Sequence, residues 1–404
     1  MAEHGRRTDE LGLEDVMARF AEAYGKALDE LGRFNLVIFG KTGVGKSTLV
    51  NAIFGAEVAR TGTGRPVTLR TEYHEHPDGY LGIYDSEGIE VGQQGDQILE
   101  KFREIIRRTH AGPIEEQIHV IWYCVRAADL RLEEAQEAFI RALADEGLPV
   151  LFVLTQVAIN RAGQVHPKAR EFAEAIVERD LPLSPDNRVF LTMAQADDFA
   201  GWPRHGLTEL LDATFRAAPA GVAQALTAAQ VIDVARKVRL ARQSITAAVA
   251  MAASAGATPI PFSDAFVLVP IQMTLMARIA AIHGLSVRVG TLASVAGAAV
   301  AAGGVTQAGR YAVTSLLKLV PGANVAASGI RASVAGSFTY ALGEAWLVVC
   351  GRLLKMGPAA DAVGHDEIRA MFLDQFTTKA KEAPRALHGE QGGLVPGGSE
   401  PHDP

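Results

Sequence analysis

The sequence predicts an α/β sheet of doubly wound type, with a helix in front of it and an all-α domain behind it. Three observations predict this. Apolar runs without alternation, such as Phe34–Phe39 and Val150–Leu154, read as strands buried on both faces. Amphipathic stretches separate these runs, as crossover helices would. From about Ala217 no strand pattern remains, and Ala, Gly, Val and Leu dominate up to Met356.

The chain has 404 residues, 48% of them hydrophobic and 21% charged, enough for two domains with a core in each. Its formal net charge of −7 argues against a general nucleic-acid binder, which would need clustered Lys and Arg. The two cysteines, Cys124 and Cys350, sit in apolar settings without metal-ligand spacing, so they read as buried thiols in a reducing compartment. No apolar stretch precedes the first acidic residues, so the expectation is a cytoplasmic protein.

In chain order, residues 9–32 repeat apolar side chains at helical spacing, with Phe20, Tyr24, Leu28 and Leu31 among them. Phe34–Phe39 is the first strand, and a helix follows directly from Lys46. Thr68–His74 and Tyr80–Asp85 read as the next two strands, and Gln94–Arg108 as a helix. Then come the strand Gln117–Val125, the helix Leu132–Asp145, the strand Pro149–Thr155 and the helix His166–Arg179. Arg188–Met193 is the last strand and Leu207–Arg216 the closing helix. Beyond it, Pro259, Pro261, Pro270 and Pro321 imply several helices. Asp366–Lys381 reads as one more, and Gly389–Pro404 as a disordered tail. The expected divisions are 1–32, 33–217, 218–385 and 386–404.

Between the first strand and its helix lies Gly40-Lys41-Thr42-Gly43-Val44-Gly45-Lys46-Ser47, followed by Thr48. The glycines let the backbone curl so that its N–H groups point inward at phosphate oxygens. The helix N-terminus adds partial positive charge. Lys46 suits the β- and γ-phosphates, and the Ser47 hydroxyl suits Mg²⁺. Asp85-Ser86-Glu87-Gly88 ends a strand about forty residues later. There Asp85 can hold Mg²⁺ through a water and the Gly88 N–H can sense the γ-phosphate. Thr68, in Arg65-Pro66-Val67-Thr68, suits a switch residue closing over metal and phosphate.

These residues, in this order, resemble the Era/TrmE/septin-like P-loop GTPases over about residues 33–217. The resemblance implies a Ras-like fold, GTP/GDP as ligand, Mg²⁺ as cofactor and a switch that opens on hydrolysis. It makes Gly40–Thr48 the first motif, Thr68 the second and Asp85–Gly88 the third. The fourth should read Asn/Thr-Lys-x-Asp, and here stand Thr155, Gln156, Val157 and Ala158. Ala158 removes the carboxylate that reads guanine in the family, at roughly 1.5–3 kcal/mol per charge-assisted bond. The resemblance therefore implies either weak base selectivity or another reader, such as backbone or Gln156. Ala194 aligns with the fifth motif.

Ile89 stands where Ras-type members carry a water-orienting Gln, so slow hydrolysis is expected, accelerated by an activating partner or a homodimer. Gly43 stands where potassium-activated members carry Asn. Glu87 and Glu90 could position water, or be exposed switch-loop acids.

The stretches Ala257–Asp264 and Val269–Gly284 resemble a helical domain of unknown function in YcjF-like bacterial proteins. The run Val289–Gly309 carries no charge and exceeds the roughly 20 residues that span a bilayer. Its Ala and Gly make insertion only marginally favourable, so a soluble bundle with peripheral membrane contact is expected. Three readings remain in play: a regulatory GTPase, a nucleotide-binding scaffold with little hydrolysis, and a membrane-associated GTPase.

Overall fold

The computed structural model describes residues 13–55, 65–68, 71–86, 95–257, 264–285, 289–293, 295–296 and 327–389. They divide into two compact units. One spans Leu28–Arg236; the other takes the described residues before and after it. The dividing point after Arg236 lies later than the expected end of the α/β domain, because the segment from 218 to 236 stays with the sheet. There the Val231 N–H donates to Ile53 O at 2.9 Å.

Helix α1, Leu13–Leu31, buries Phe20, Tyr24, Ala27 and Leu31. The α/β unit continues with β1 (Phe34–Phe39), α2 (Lys46–Phe54), β2 (Arg65–Thr68), β3 (Thr71–Glu75), β4 (Leu81–Ser86) and α3 (Gly95–His110). Then follow β5 (Val120–Arg126), α4 (Glu134–Asp145), β6 (Val150–Thr155), α5 (Pro167–Val177), β7 (Val189–Leu191), α6 (Leu207–Ala217) and α7 (Ala223–Ala229).

The sheet has seven strands in the order β2-β3-β4-β1-β5-β6-β7, and its central pairs are parallel. Every residue of β1 and of β6 is buried, as a strand covered on both faces requires. On one face Phe39 meets Phe102 of α3 and Phe139 of α4 edge-on, both at 5.2 Å. On the other, Trp122 stacks on Phe54 of α2 and donates its indole N–H to the Thr214 hydroxyl of α6.

One strand differs from expectation. Thr68–His74 is not continuous: β2 and β3 form an antiparallel pair, with a register shift between Pro66 and Thr68. The β-branched and aromatic residues there suit strand on either side of the reversal, so periodicity alone could not locate it.

The second unit contains α8 (Val234–Ala257, its first turn in the α/β unit), α9 (Asp264–Ile282), α10 (Ala327–Met356) and α11 (His365–Gly389). Pro270 lies inside α9 rather than at an end, so it does not divide the helices as expected. Burial of Met273, Met276, Ile279 and Ala280 beyond it opposes the roughly 3 kcal/mol that an interior proline costs. Pro259, Pro261 and Pro321 lie outside the described residues. Helix α11 runs past the expected boundary at 385, with Ala383 still buried, and the tail from 390 onward lies outside the described residues.

The helical unit closes through side chains that reach backbone. Trp346 donates its indole N–H to Met276 O at 2.9 Å, and the fully buried Lys237 donates to Ile282 O at 2.7 Å. Arg242 pairs with the buried Glu344 at 2.9 Å. Among the described residues one stretch, Ala332–Met356, is long and apolar enough to cross a membrane by length and composition, and 78% of its most apolar window is buried. Of the run from 289 to 309 only 289–293 and 295–296 are described; there Leu292, Ala293, Val295 and Ala296 are buried. Both cysteines are free and buried.

Candidate functional site

The glycine loop joins the carboxyl end of β1 to α2. Gly40 takes φ 147, Gly43 φ 80 and Gly45 φ 98, all in the region that disfavours side chains. A Cβ on Gly40 would lie 2.4 Å from Cys124 O, so the chain passes β5 too closely for any other residue. Val44 is buried under the loop, whereas Thr42, Gly43, Ser47 and Thr48 are exposed on it. Lys46 is only 8% exposed, and its ammonium donates to Gly40 O at 2.8 Å and Lys41 O at 3.3 Å. A cation thus sits in the mouth of a loop at a helix N-terminus, where the helix dipole also favours anions.

Asp85 lies at the end of β4, in register with Ile38 of β1, and so beside the start of the loop. The Cys124 thiol feels both charges. Burial pushes it up to about 12, with Lys46 pulling down and Asp85 pushing up. Gly88, Glu87, Ile89 and Glu90 lie outside the described residues. Thr68 ends β2, whose side chains are not described. Its backbone pairs with Thr71, and Thr71 with Ser86. Thr68 thus ends the edge strand of the sheet, two strands out from β4.

Lys41 makes an ion pair with Glu133 at 2.8 Å, and this bond holds the Glu133 carboxyl below its ordinary range. Glu133 also caps α4 in a reciprocal capping box with Gln136, so the loop is tethered to a helix start.

Thr155 and Gln156 reach the loop from β6. The buried Thr155 hydroxyl donates to Val44 O at 2.5 Å, and Gln156 donates its amide to Gly43 O at 3.3 Å. Gln156 takes φ 56, a left-handed conformation unusual for its type. Together with Gly45, Thr48 and Ala194 they line one cavity of about 460 Å³. Three segments expected from sequence to meet at a nucleotide do meet there. Ala158 does not line it. Its carbonyl instead accepts the His166 N–H at 2.9 Å.

Besides Leu49 of α2, the remaining wall is Met193, Gln195, Ala196, Asp197, Asp198 and Trp202, from the loop between β7 and α6, and its acids and Trp202 were not foreseen. This loop is a small ladder. Met193 and His205 exchange backbone bonds at 3.0 and 3.1 Å, and Asp197 and Trp202 exchange two at 2.9 Å. His205 also donates from Nε2 to Val157 O at 2.8 Å, tying the loop to the segment after β6. No short motif marks these residues; only the paired acids Asp197-Asp198 and Trp202 in a polar stretch hinted at them.

With that geometry in place, comparison with known proteins shows what this part of the chain resembles. Residues 35–156 match the family model described as 50S ribosome-binding GTPase. The chain carries a P-loop GTPase domain. It is 29% identical over 126 residues to GTPase Era of Xanthomonas axonopodis pv. citri (strain 306), covering 30% of this chain and 39% of that one. It is 26% identical over 144 residues to GTPase Era of Stenotrophomonas maltophilia (strain K279a), covering 35% and 45%. The chain thus spans less than half the length of these curated relatives, and the domain is Era-like in its nucleotide-binding part. Two solved structures are similar: Aquifex aeolicus Era bound to GDP and AlF4⁻, with 20% identity, TM-score 0.30 and coverage of 46% of this chain and 57% of that one, and the GTP-binding protein EngB, with 17% identity, TM-score 0.32 and coverage of 45% and 97%. The assignment rests on the sequence matches.

Proposed function

We propose that the P-loop GTPase domain binds GTP with Mg²⁺, hydrolyses it slowly and acts as a regulatory switch. The observation that carries this reading is the meeting of the glycine loop, Thr155-Gln156 and Ala194 around one cavity. The loop's inward N–H groups and Lys46 bind the phosphates, and the Gly45–Thr48 turn places them at the α2 N-terminus. Thr155 and Gln156 brace the loop through its carbonyls and wall the base side.

The residues present fit Mg²⁺. The exposed Ser47 hydroxyl and the Asp85 carboxylate are oxygen donors beside the loop, as a hard cation requires. Among the described residues no group of three His, Cys, Asp or Glu could hold a metal alone, which suits an ion completed by phosphate oxygens and water. When bound, the ion supplies neutralisation of phosphate charge during transfer. Thr68 is the further hydroxyl that the sequence offers to this donor set, as the switch residue that closes over metal and phosphate.

Slow turnover follows from Ile89, whose side chain cannot orient water. An activating protein or a second copy of the chain would supply the missing group, with a gain of roughly 10³–10⁵ if that group is an arginine. We place the protein in the cytoplasm, with the helical unit as transmitter of the switch and at most a peripheral, carbonate-extractable membrane fraction. The decisive test is the nucleotide copurifying with the full chain, together with GTP and GDP titrations of wild type, Lys46→Ala and Ser47→Ala. Both variants should fold and lose Mg²⁺-nucleotide binding. Unchanged affinity in either would remove the site.

A further inference from the structure

The cavity beside the glycine loop has one wall without a task in the reading above. Its acids come from the loop between β7 and α6, and the acid that the family resemblance would place at residue 158 is replaced by an alanine that does not line the cavity. A guanine base held there presents two adjacent donors, N1–H and the 2-amino group. Those donors are read by acceptors, and a carboxylate is acceptor-only with two oxygens side by side.

The two acids of the loop differ in what already occupies them. Asp197 Oδ1 accepts the backbone N–H groups of Phe199 at 3.0 Å and Ala200 at 2.9 Å, and the Asp197 backbone is paired with Trp202. Asp197 is the staple of the loop. Asp198 follows it, exposed, lining the same cavity, and makes no hydrogen bond or ion pair among the described residues. The loop that presents it is pinned at several points. His205 bonds to Val157 O, and Arg204 donates to Ala52 O of α2 at 2.5 Å. Gly206, at φ 75, lies so close to Leu191 O that a Cβ there would clash with it.

We propose that Asp198 is the guanine-reading residue of this domain, accepting the two N–H groups of the base, with the Trp202 indole as an apolar wall against the base plane. The acceptor has moved from the loop after β6 to the loop after β7, and Asp197 is its positioning residue. This rests on the nucleotide-binding reading above and deepens it by naming what confers base selectivity.

The test displaces a fluorescent GDP analogue from the full-length protein with GTP, XTP and ATP. Wild type, Asp198→Asn, Asp198→Ala and Lys46→Ala are compared, and circular dichroism confirms the fold of each. Asn keeps one acceptor for N1–H and offers an amide donor that suits the 2-oxo group of xanthine. Asp198→Asn should therefore lose roughly ten- to a hundredfold in GTP affinity while XTP affinity rises. Asp198→Ala should weaken GTP to a similar degree without the gain for XTP. Lys46→Ala should weaken all nucleotides together. If Asp198→Asn keeps the wild-type ratio of GTP to XTP, or loses both equally, the acid does not read the base and the proposal is overturned, even where Lys46→Ala behaves as expected. If Lys46→Ala leaves affinity unchanged, the nucleotide site itself is wrong, and this proposal falls with it.

Discussion

Replacing Thr155 by Val tests how far the glycine loop depends on the strand beside it. The Thr155 side chain is buried, and its hydroxyl donates to Val44 O at 2.5 Å and to Val125 O at 3.3 Å. Val has nearly the same shape, so the substitution creates no cavity; what it removes is the donor. Leaving a buried carbonyl without its donor costs about 1–3 kcal/mol, and a neutral hydrogen bond is worth about 1 kcal/mol net. The expected loss is therefore about 1–3 kcal/mol in urea denaturation. The Val44 carbonyl belongs to the loop that would hold phosphate, so part of that loss should appear as weaker nucleotide binding, about tenfold for each 1.4 kcal/mol. Thr155→Ser is the control, because it keeps the oxygen and removes only a methyl group; it should retain most of the affinity. A Val variant with wild-type stability and affinity, measured beside an unchanged Ser variant, would refute the claim that this bond positions the loop.

Gly40→Ala should destabilise the α/β unit by about 2–5 kcal/mol, because a Cβ would meet Cys124 O at 2.4 Å in a backbone conformation that already disfavours side chains; near-wild-type denaturation midpoints would contradict this. His283 is held down to about 4 by burial, with the Lys237 ammonium adding to the depression, so it stays neutral in the fold while an unfolded histidine protonates near 6.5. The stability that depends on its neutrality is complete above pH 6.5 and is lost as pH falls toward 4, on the order of 3 kcal/mol; chemical denaturation of wild type and His283→Gln at several pH values should show a shallower pH slope in the variant. Single-turnover GTP hydrolysis by the purified chain should be slow and should rise with protein concentration or an added partner; fast turnover independent of concentration would contradict the role given to Ile89.

What was legible in the sequence followed from constraints that act locally. Binding a phosphate through backbone N–H groups demands glycines at fixed intervals between a strand and a helix, so Gly40, Gly43, Gly45, Lys46 and Ser47 could be placed without a structure. Strands covered on both faces must be apolar throughout, so β1, β5 and β6 were legible too. The hairpin of β2 and β3 was not, because its residues favour strand on both sides of the reversal. Pro270 misled for a different reason: a local rule against proline in helices yields when the turns beyond it are buried, as Met273, Met276 and Ile279 are. The acidic wall of the cavity is shaped by pairings between Met193 and His205 and between Asp197 and Trp202, neither of which has a periodic signature.

The same contacts explain why the loss of the acid at position 158 need not disable the site. Three hydrogen bonds meet at the segment after β6: Thr155 to Val44 O and Gln156 to Gly43 O from the glycine-loop side, and His205 to Val157 O from the loop after β7. The first two brace the phosphate side against the end of β6. The third fixes the loop after β7 to the residue next to that brace. The loop that carries Asp198 is thus tied to the same segment that braces the glycine loop. Firm placement matters because a bidentate acceptor discriminates between bases only when both oxygens meet their donors with good geometry. The left-handed turn at Gln156 belongs to this arrangement: it directs the amide back onto Gly43 O and leaves the cavity mouth to be closed from the β7 side. Selectivity for guanine is therefore compatible with Ala158, provided that the wall carrying Asp198 and Trp202 supplies the contacts.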